Sequence, residues 1–133
     1  MPSIIYYYTR LLLLLLILLV LISLVQSFVV NLTPKTFNTV IRKNQYALIT
    51  FCEPSIGPCK AFLPEFAEAA KELEKYKPKI RFAKMNVETY AEFVEDKDIL
   101  NYPTIWWFYN GKFSKVYTGG RVKDSIVEWL VKQ

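Results

Sequence analysis

Residues 51–66 read FCEPSIGPCKAFLPEF, from Phe51 to Phe66, and the change of periodicity inside this stretch decides the architecture. Tyr46 to Cys52 is a continuous apolar run of strand length, bounded by Asn44 on one side and by Pro54 and Gly57 on the other. Such a run suits a central strand covered on both faces. From Gly57 to about Tyr76 the pattern turns helical, with Cys59, Phe62, Phe66, Ala69 and Leu73 spaced three or four apart on one stripe. Cys59 therefore faces inward, and Pro64 removes one backbone hydrogen bond inside the helix.

Upstream, Phe28 to Leu32 is a short β-rich run, and Thr33-Pro34 opens a helix to about Lys43 as an N-cap followed by a first-turn proline. Downstream, Ile80 to Asn86 alternates as a strand, and Glu88 to Lys97 reads as a charged helix. Thr104 to Tyr109 is a β-prone aromatic run, Asn110-Gly111 signals a hairpin turn, and Phe113 to Tyr117 is the returning strand. Val122, Ile126, Trp129 and Leu130 then recur at helical spacing between Val122 and Val131. The order β-α-β-α-β-α-β-β-α predicts an α/β fold with a mixed central sheet flanked by helices.

The N-terminal segment stands apart. Leu11 to Val25 is a nearly unbroken Leu/Ile/Val run preceded by Arg10, the dimensions of a signal-peptide core. Cleavage is expected after Ser27, dividing the chain into a signal peptide, 1–27, and one domain, 28–133. The alternative is an uncleaved membrane anchor through residues 11–25, since Ile4 to Tyr8 lengthens the apolar stretch. Residues 28–133 suffice for one core and leave no room for a second domain.

Arg10 is the leader's only charged residue, so the domain keeps nearly all of the +5 formal charge. Its basic and acidic residues are interleaved, a pattern of solubility that gives no reason to expect nucleic acid as a partner. With no histidine and two cysteines, a zinc site of His and Cys ligands is excluded, and neither metal nor cofactor is expected. Two cysteines are too few for a disulfide framework. Asn31-Leu32-Thr33 fits the glycosylation acceptor pattern, but Pro34 follows directly, and the match is read as chance.

Three local motifs carry a resemblance. Phe51 to Phe66 resembles the active-site segment of thioredoxin-like domains of the protein disulfide isomerase family. Tyr102-Pro103-Thr104-Ile105 looks like the family loop whose proline is cis. Tyr117-Thr118-Gly119-Gly120-Arg121 with Ile126 to Leu130 is similar to its terminal turn and helix. The resemblance covers residues 28–132 and implies a thioredoxin-like fold.

Family oxidoreductases carry Cys-x-x-Cys at the start of the second helix, and the first thiol attacks client disulfides as a thiolate. Here the corresponding residues are Ser55-Ile56-Gly57-Pro58-Cys59, so the resemblance puts Ile56 in the place of the attacking cysteine and leaves Cys59 as the resolving one. Thr50 matches the family's buried acid, Lys84 is kept, and Arg121 matches an arginine that modulates the second thiol. Cys52 stands where an aromatic residue is usual. A bridge from Cys52 to Cys59 is not expected, and both are read as packed, unpaired thiols, Cys59 retaining at most a residual catalytic role.

The function implied is a redox-impaired, isomerase-like domain that assists folding in the secretory pathway by binding extended or unfolded polypeptide clients. Ile56, Gly57, Pro58, Tyr102 and Pro103 would form the contact surface. An exposed Trp106 would add to it, although two helix-covered faces would bury Ile105 through Phe108 alike. The alternative is a thiol-disulfide oxidoreductase with single-thiol activity through Cys59, so whether the chain is an enzyme stays open. The expected location is the endoplasmic reticulum lumen or the secreted space. Val131-Lys132-Gln133 is not the luminal retention tetrapeptide, so residence would need a partner or the uncleaved anchor.

Overall fold

The computed structural model describes residues 3–24 and 27–133. Helix α1 (Ile4–Leu24) is exposed along its described side chains, and by length and composition it could cross a membrane. That is compatible with a signal sequence. The expected cleavage tripeptide begins at Val25 and Gln26, which lie outside the described residues.

The remaining elements are β1 (Val29–Asn31), α2 (Phe37–Lys43), β2 (Tyr46–Cys52), α3 (Gly57–Glu72), β3 (Ile80–Asn86), α4 (Ala91–Val94), β4 (Thr104–Tyr109), β5 (Lys112–Val116) and α5 (Lys123–Leu130). They build one five-stranded sheet in the order β1-β3-β2-β4-β5. β3 runs parallel to both β1 and β2, whereas β4 is antiparallel to β2 and to β5. The mixed sheet expected from the element order is thus present.

β2 lies in the middle, with six of its seven residues buried. Leu48, Cys52 and Phe82 pack on one face against Phe62, Phe66 and Ala69 of α3 and Ile126 and Leu130 of α5. Ala47, Ile49 and Phe51 pack on the other against Phe37 and Ile41 of α2 and Val94 of α4. An unbroken apolar run on β2 is what burial on both faces requires.

Two helices start later than the sequence suggests, for a shared reason. The backbone N–H and hydroxyls of Thr33 and Thr36 bond to one another, holding a turn before α2 begins at Phe37. The Asn86 side-chain carbonyl accepts from the N–H groups of Glu88 and Thr89, holding them in a turn, and α4 begins only at Ala91. Threonine and asparagine side chains here compete with helix for the same backbone donors. A 3-10 turn follows α4, and Asp98, in the left-handed region at φ 53°, closes it.

The hairpin between β4 and β5 turns on Asn110 and Gly111, with φ 48° and 78°, the pair of positive values that a two-residue hairpin loop favours. A register irregularity falls between Trp107 and Phe108. Every residue of β5 is exposed. Of the aromatic run, Ile105, Trp107 and Phe108 are buried and Trp106 is half-buried, in edge contact with Phe51 and Phe113. The burial of all four is therefore not realised, because Trp106 faces the thinly covered end of the sheet beside the exposed β5.

Tyr117, buried just past β5, donates its phenol to the Gly120 carbonyl at 2.6 Å. Burial raises the phenol above its ordinary value of 10.0, and the nearby Arg121 charge partly opposes that rise. An acid held neutral by the fold contributes stability below its unfolded value, and this is lost as pH rises through the raised folded value. Stability is thus expected to fall above about pH 10. Tyr117→Phe should cost about 1 kcal/mol at neutral pH for the lost bond and should flatten that alkaline decline. Urea midpoints measured from pH 8 to 11 on both proteins check it.

Candidate functional site

The C-terminal end of β2 and the start of β4 meet through the Phe51–Thr104 pair. The loop leaving β2 and the loop entering β4 therefore open at one end of the sheet. The first loop turns at Glu53–Ile56, where the Ile56 N–H donates to the Glu53 carbonyl at 3.0 Å. Ile56 is the N-cap residue of α3, with extended backbone, and the Lys60 N–H donates to its carbonyl at 2.8 Å. Pro58 falls in the first turn of α3, where its missing N–H is no loss.

The structure corrects the expectation for the cysteines. Cys52, the last residue of β2, and Cys59, in the first turn of α3, are joined by a disulfide with their Cα atoms 5.7 Å apart. Neither is a free thiol. The reading as two unpaired packed thiols fails because the Glu53–Ile56 turn folds the chain back sharply. Residues seven apart in sequence are thereby brought within the span a bridge needs. Both sulfurs are buried, with Cys52 at 1% exposure and Cys59 at 0%, so the inward orientation expected of Cys59 is present.

Around the bridge the polar groups are sparse. Thr50 is the only buried polar or charged side chain among the described residues, and its hydroxyl donates to the Cys52 sulfur at 3.8 Å. Lys84 lies opposite Thr50 on β3, on the same sheet face. Arg121 is exposed, in the turn before α5, and acts on the Tyr117 phenol.

Ile56, Gly57 and Pro58 are all exposed, Ile56 at 37%. The Tyr102–Pro103 peptide is cis. Pro103 itself is buried and Tyr102 is half-buried, so of this pair Tyr102 is the one with surface to offer. The loop entering β4 also displays Leu100 at 94% exposure, a residue that sequence reasoning missed. The signal was faint: the Ile99-Leu100 pair between Asp98 and Asn101 follows no period, and nothing in the sequence says which of the two is left outside.

The thioredoxin family profile matches residues 28–132. The chain belongs to the thioredoxin family. Its thioredoxin domain is 36% identical over 105 residues to Protein disulfide isomerase-like 1-4 of Arabidopsis thaliana, covering 79% of this chain and 17% of that one. It is 37% identical over 99 residues to the Protein disulfide-isomerase of Gallus gallus, covering 73% of this chain and 19% of that one. The chain thus spans less than a fifth of these relatives' length. Among solved structures, the first thioredoxin domain of mouse Protein disulfide-isomerase A4 superposes with a TM-score of 0.70 at 27% identity, over 80% of this chain and 76% of that one. Human ERp44 form I gives a TM-score of 0.74 at 20% identity over 80% of this chain and 29% of that one, a likeness of fold. The thioredoxin fold, with its mixed five-stranded sheet between helices, is thereby established.

Proposed function

We propose that this thioredoxin domain assists oxidative protein folding in the secretory pathway, within the endoplasmic reticulum lumen, by holding extended or unfolded polypeptides. In this reading Ile56 stands in for the attacking cysteine, so no client disulfide is taken up at that position. The similarity to protein disulfide isomerases supports the pathway, and the apolar leader helix is compatible with entry into it.

The observation that carries the reading is apolar surface at the mouth of the site. Ile56 and Pro58 are exposed at the start of α3 and Leu100 on the loop entering β4, where half-buried Tyr102 follows it two residues on. Such surface gives sequence-tolerant contact, and each aliphatic side chain covered contributes about 1.5–3 kcal/mol. Single-thiol chemistry through Cys59 has no free thiol to start from while the bridge to Cys52 stands.

Suppression of aggregation of a reduced, unfolded client tests this, with a folded Cys52→Ser, Cys59→Ser double variant as a separate control for bridge chemistry. The native domain should delay aggregation. Leu100→Glu, a change in an exposed loop that leaves the fold intact, should weaken the effect about tenfold, the loss of one such contact. A domain with no holding activity, or one indifferent to both Leu100→Glu and Ile56→Glu, would overturn the reading.

A further inference from the structure

The two cysteines of the bridge are not equivalently placed. Cys52 lines a cavity of about 150 Å³ shared with Asn31, Pro54, Leu63, Lys84 and Asn86, whereas Cys59 does not reach it. Asn31 and Pro54 are exposed, so the cavity opens to solvent at its rim, and Ile56 does not line it. Its volume is several times the share of one liquid water, enough for the thiol-bearing arm of a small molecule. Lys84 makes no ion pair among the described residues, leaving a cation on the wall beside Cys52. Cys59, for its part, sits in the first turn of the 16-residue helix α3, where the N-terminal end of the helix favours negative charge.

We propose that Cys52 and Cys59 form a redox couple that exchanges with low-molecular-weight thiols through this cavity, Cys52 being the sulfur attacked. The thiolate of a small thiol adds to the Cys52 sulfur. The Cys52–Cys59 bond breaks, and the electron pair leaves on Cys59 as a thiolate at the helix terminus. A second small thiolate then attacks the small-molecule sulfur of the mixed disulfide. This frees Cys52, whose thiolate Lys84 stabilises, and releases the small molecule as its disulfide. Two small thiols are oxidised to one disulfide and the protein bridge is reduced to two thiols, with protons exchanged with water. The reverse sequence restores the bridge. Nothing in it passes through residue 56, so it stands or falls apart from client holding.

The test uses the full chain with glutathione as the probe, quenched by rapid alkylation and mapped by mass spectrometry. Native protein should exchange well below denaturing conditions, and the trapped adduct should lie on Cys52. Cys59→Ser should take glutathione at Cys52 at least tenfold faster than Cys52→Ser takes it at Cys59. Lys84→Met should slow capping of Cys52, and Lys84→Arg should restore it, which a merely structural role would not produce. Adduct on Cys59, reduction only at the rate of global unfolding, or reduction by protein dithiols with none by glutathione would each overturn the proposal. Adduct mapping on the wild-type chain decides the matter even where a variant fails to fold.

Discussion

Placing cysteine at position 56 is expected to confer disulfide-reducing activity on this domain. Ile56 caps α3 from an extended backbone conformation and is partly exposed, so Ile56→Cys would set a thiol at the mouth of the site. There the helix terminus holds it toward the thiolate. Cys59 is three residues on but engaged with Cys52, so the single variant creates three cysteines competing for one bridge. The informative protein is Ile56→Cys with Cys52→Ala, in which Cys59 is free to resolve a mixed disulfide. Its insulin reduction rate should exceed that of the wild type by tenfold or more, with the single variant between them. If the double variant is folded, has two titratable thiols and reduces insulin no faster than wild type, Ile56 does not occupy the place of an attacking cysteine.

Removing the bridge should be nearly as conspicuous in stability. The disulfide closes a ring of about eight residues, and the loop-entropy relation gives such a ring about 2.5 kcal/mol. That is a large part of the 5–15 kcal/mol typical of a whole domain. Cys52→Ala and the wild type in reductant should both melt about 10 °C below the oxidised wild type, the shift expected for this loss in a domain of about 100 residues. The variant should be indifferent to reductant. A wild-type melting temperature unchanged by reductant, with two free thiols counted by mass spectrometry, would show that the ring adds nothing.

The strands of this domain were legible and the bridge was not, for physical reasons. β2, β3 and β4 follow from apolar run or alternation, and those signals are set by which face each residue buries. The Asn110-Gly111 turn follows from the positive φ its residues tolerate. Helix starts drifted because Thr33, Thr36 and Asn86 spend their side chains on turn hydrogen bonds, a choice no periodicity records. The Cys52–Cys59 contact depends on how sharply residues 53–56 reverse direction, a three-dimensional quantity that spacing alone leaves open. At the site, the exposed Ile56 was readable from its motif. Pro103 turned out to lie beneath the surface it helps to shape, and Leu100 was invisible until the loop around it was placed.

The two borders of the sheet bear on whether other chains can add to it. β1 offers three residues to any newcomer, and β5 carries Lys112 and Lys115 opposite an irregular stretch of β4. Short length, positive charge and a local twist each discourage a stranger's backbone from zipping on. On the proposed role, the domain would offer unfolded polypeptides a greasy foothold at one end while its flanks refuse to seed a fibril.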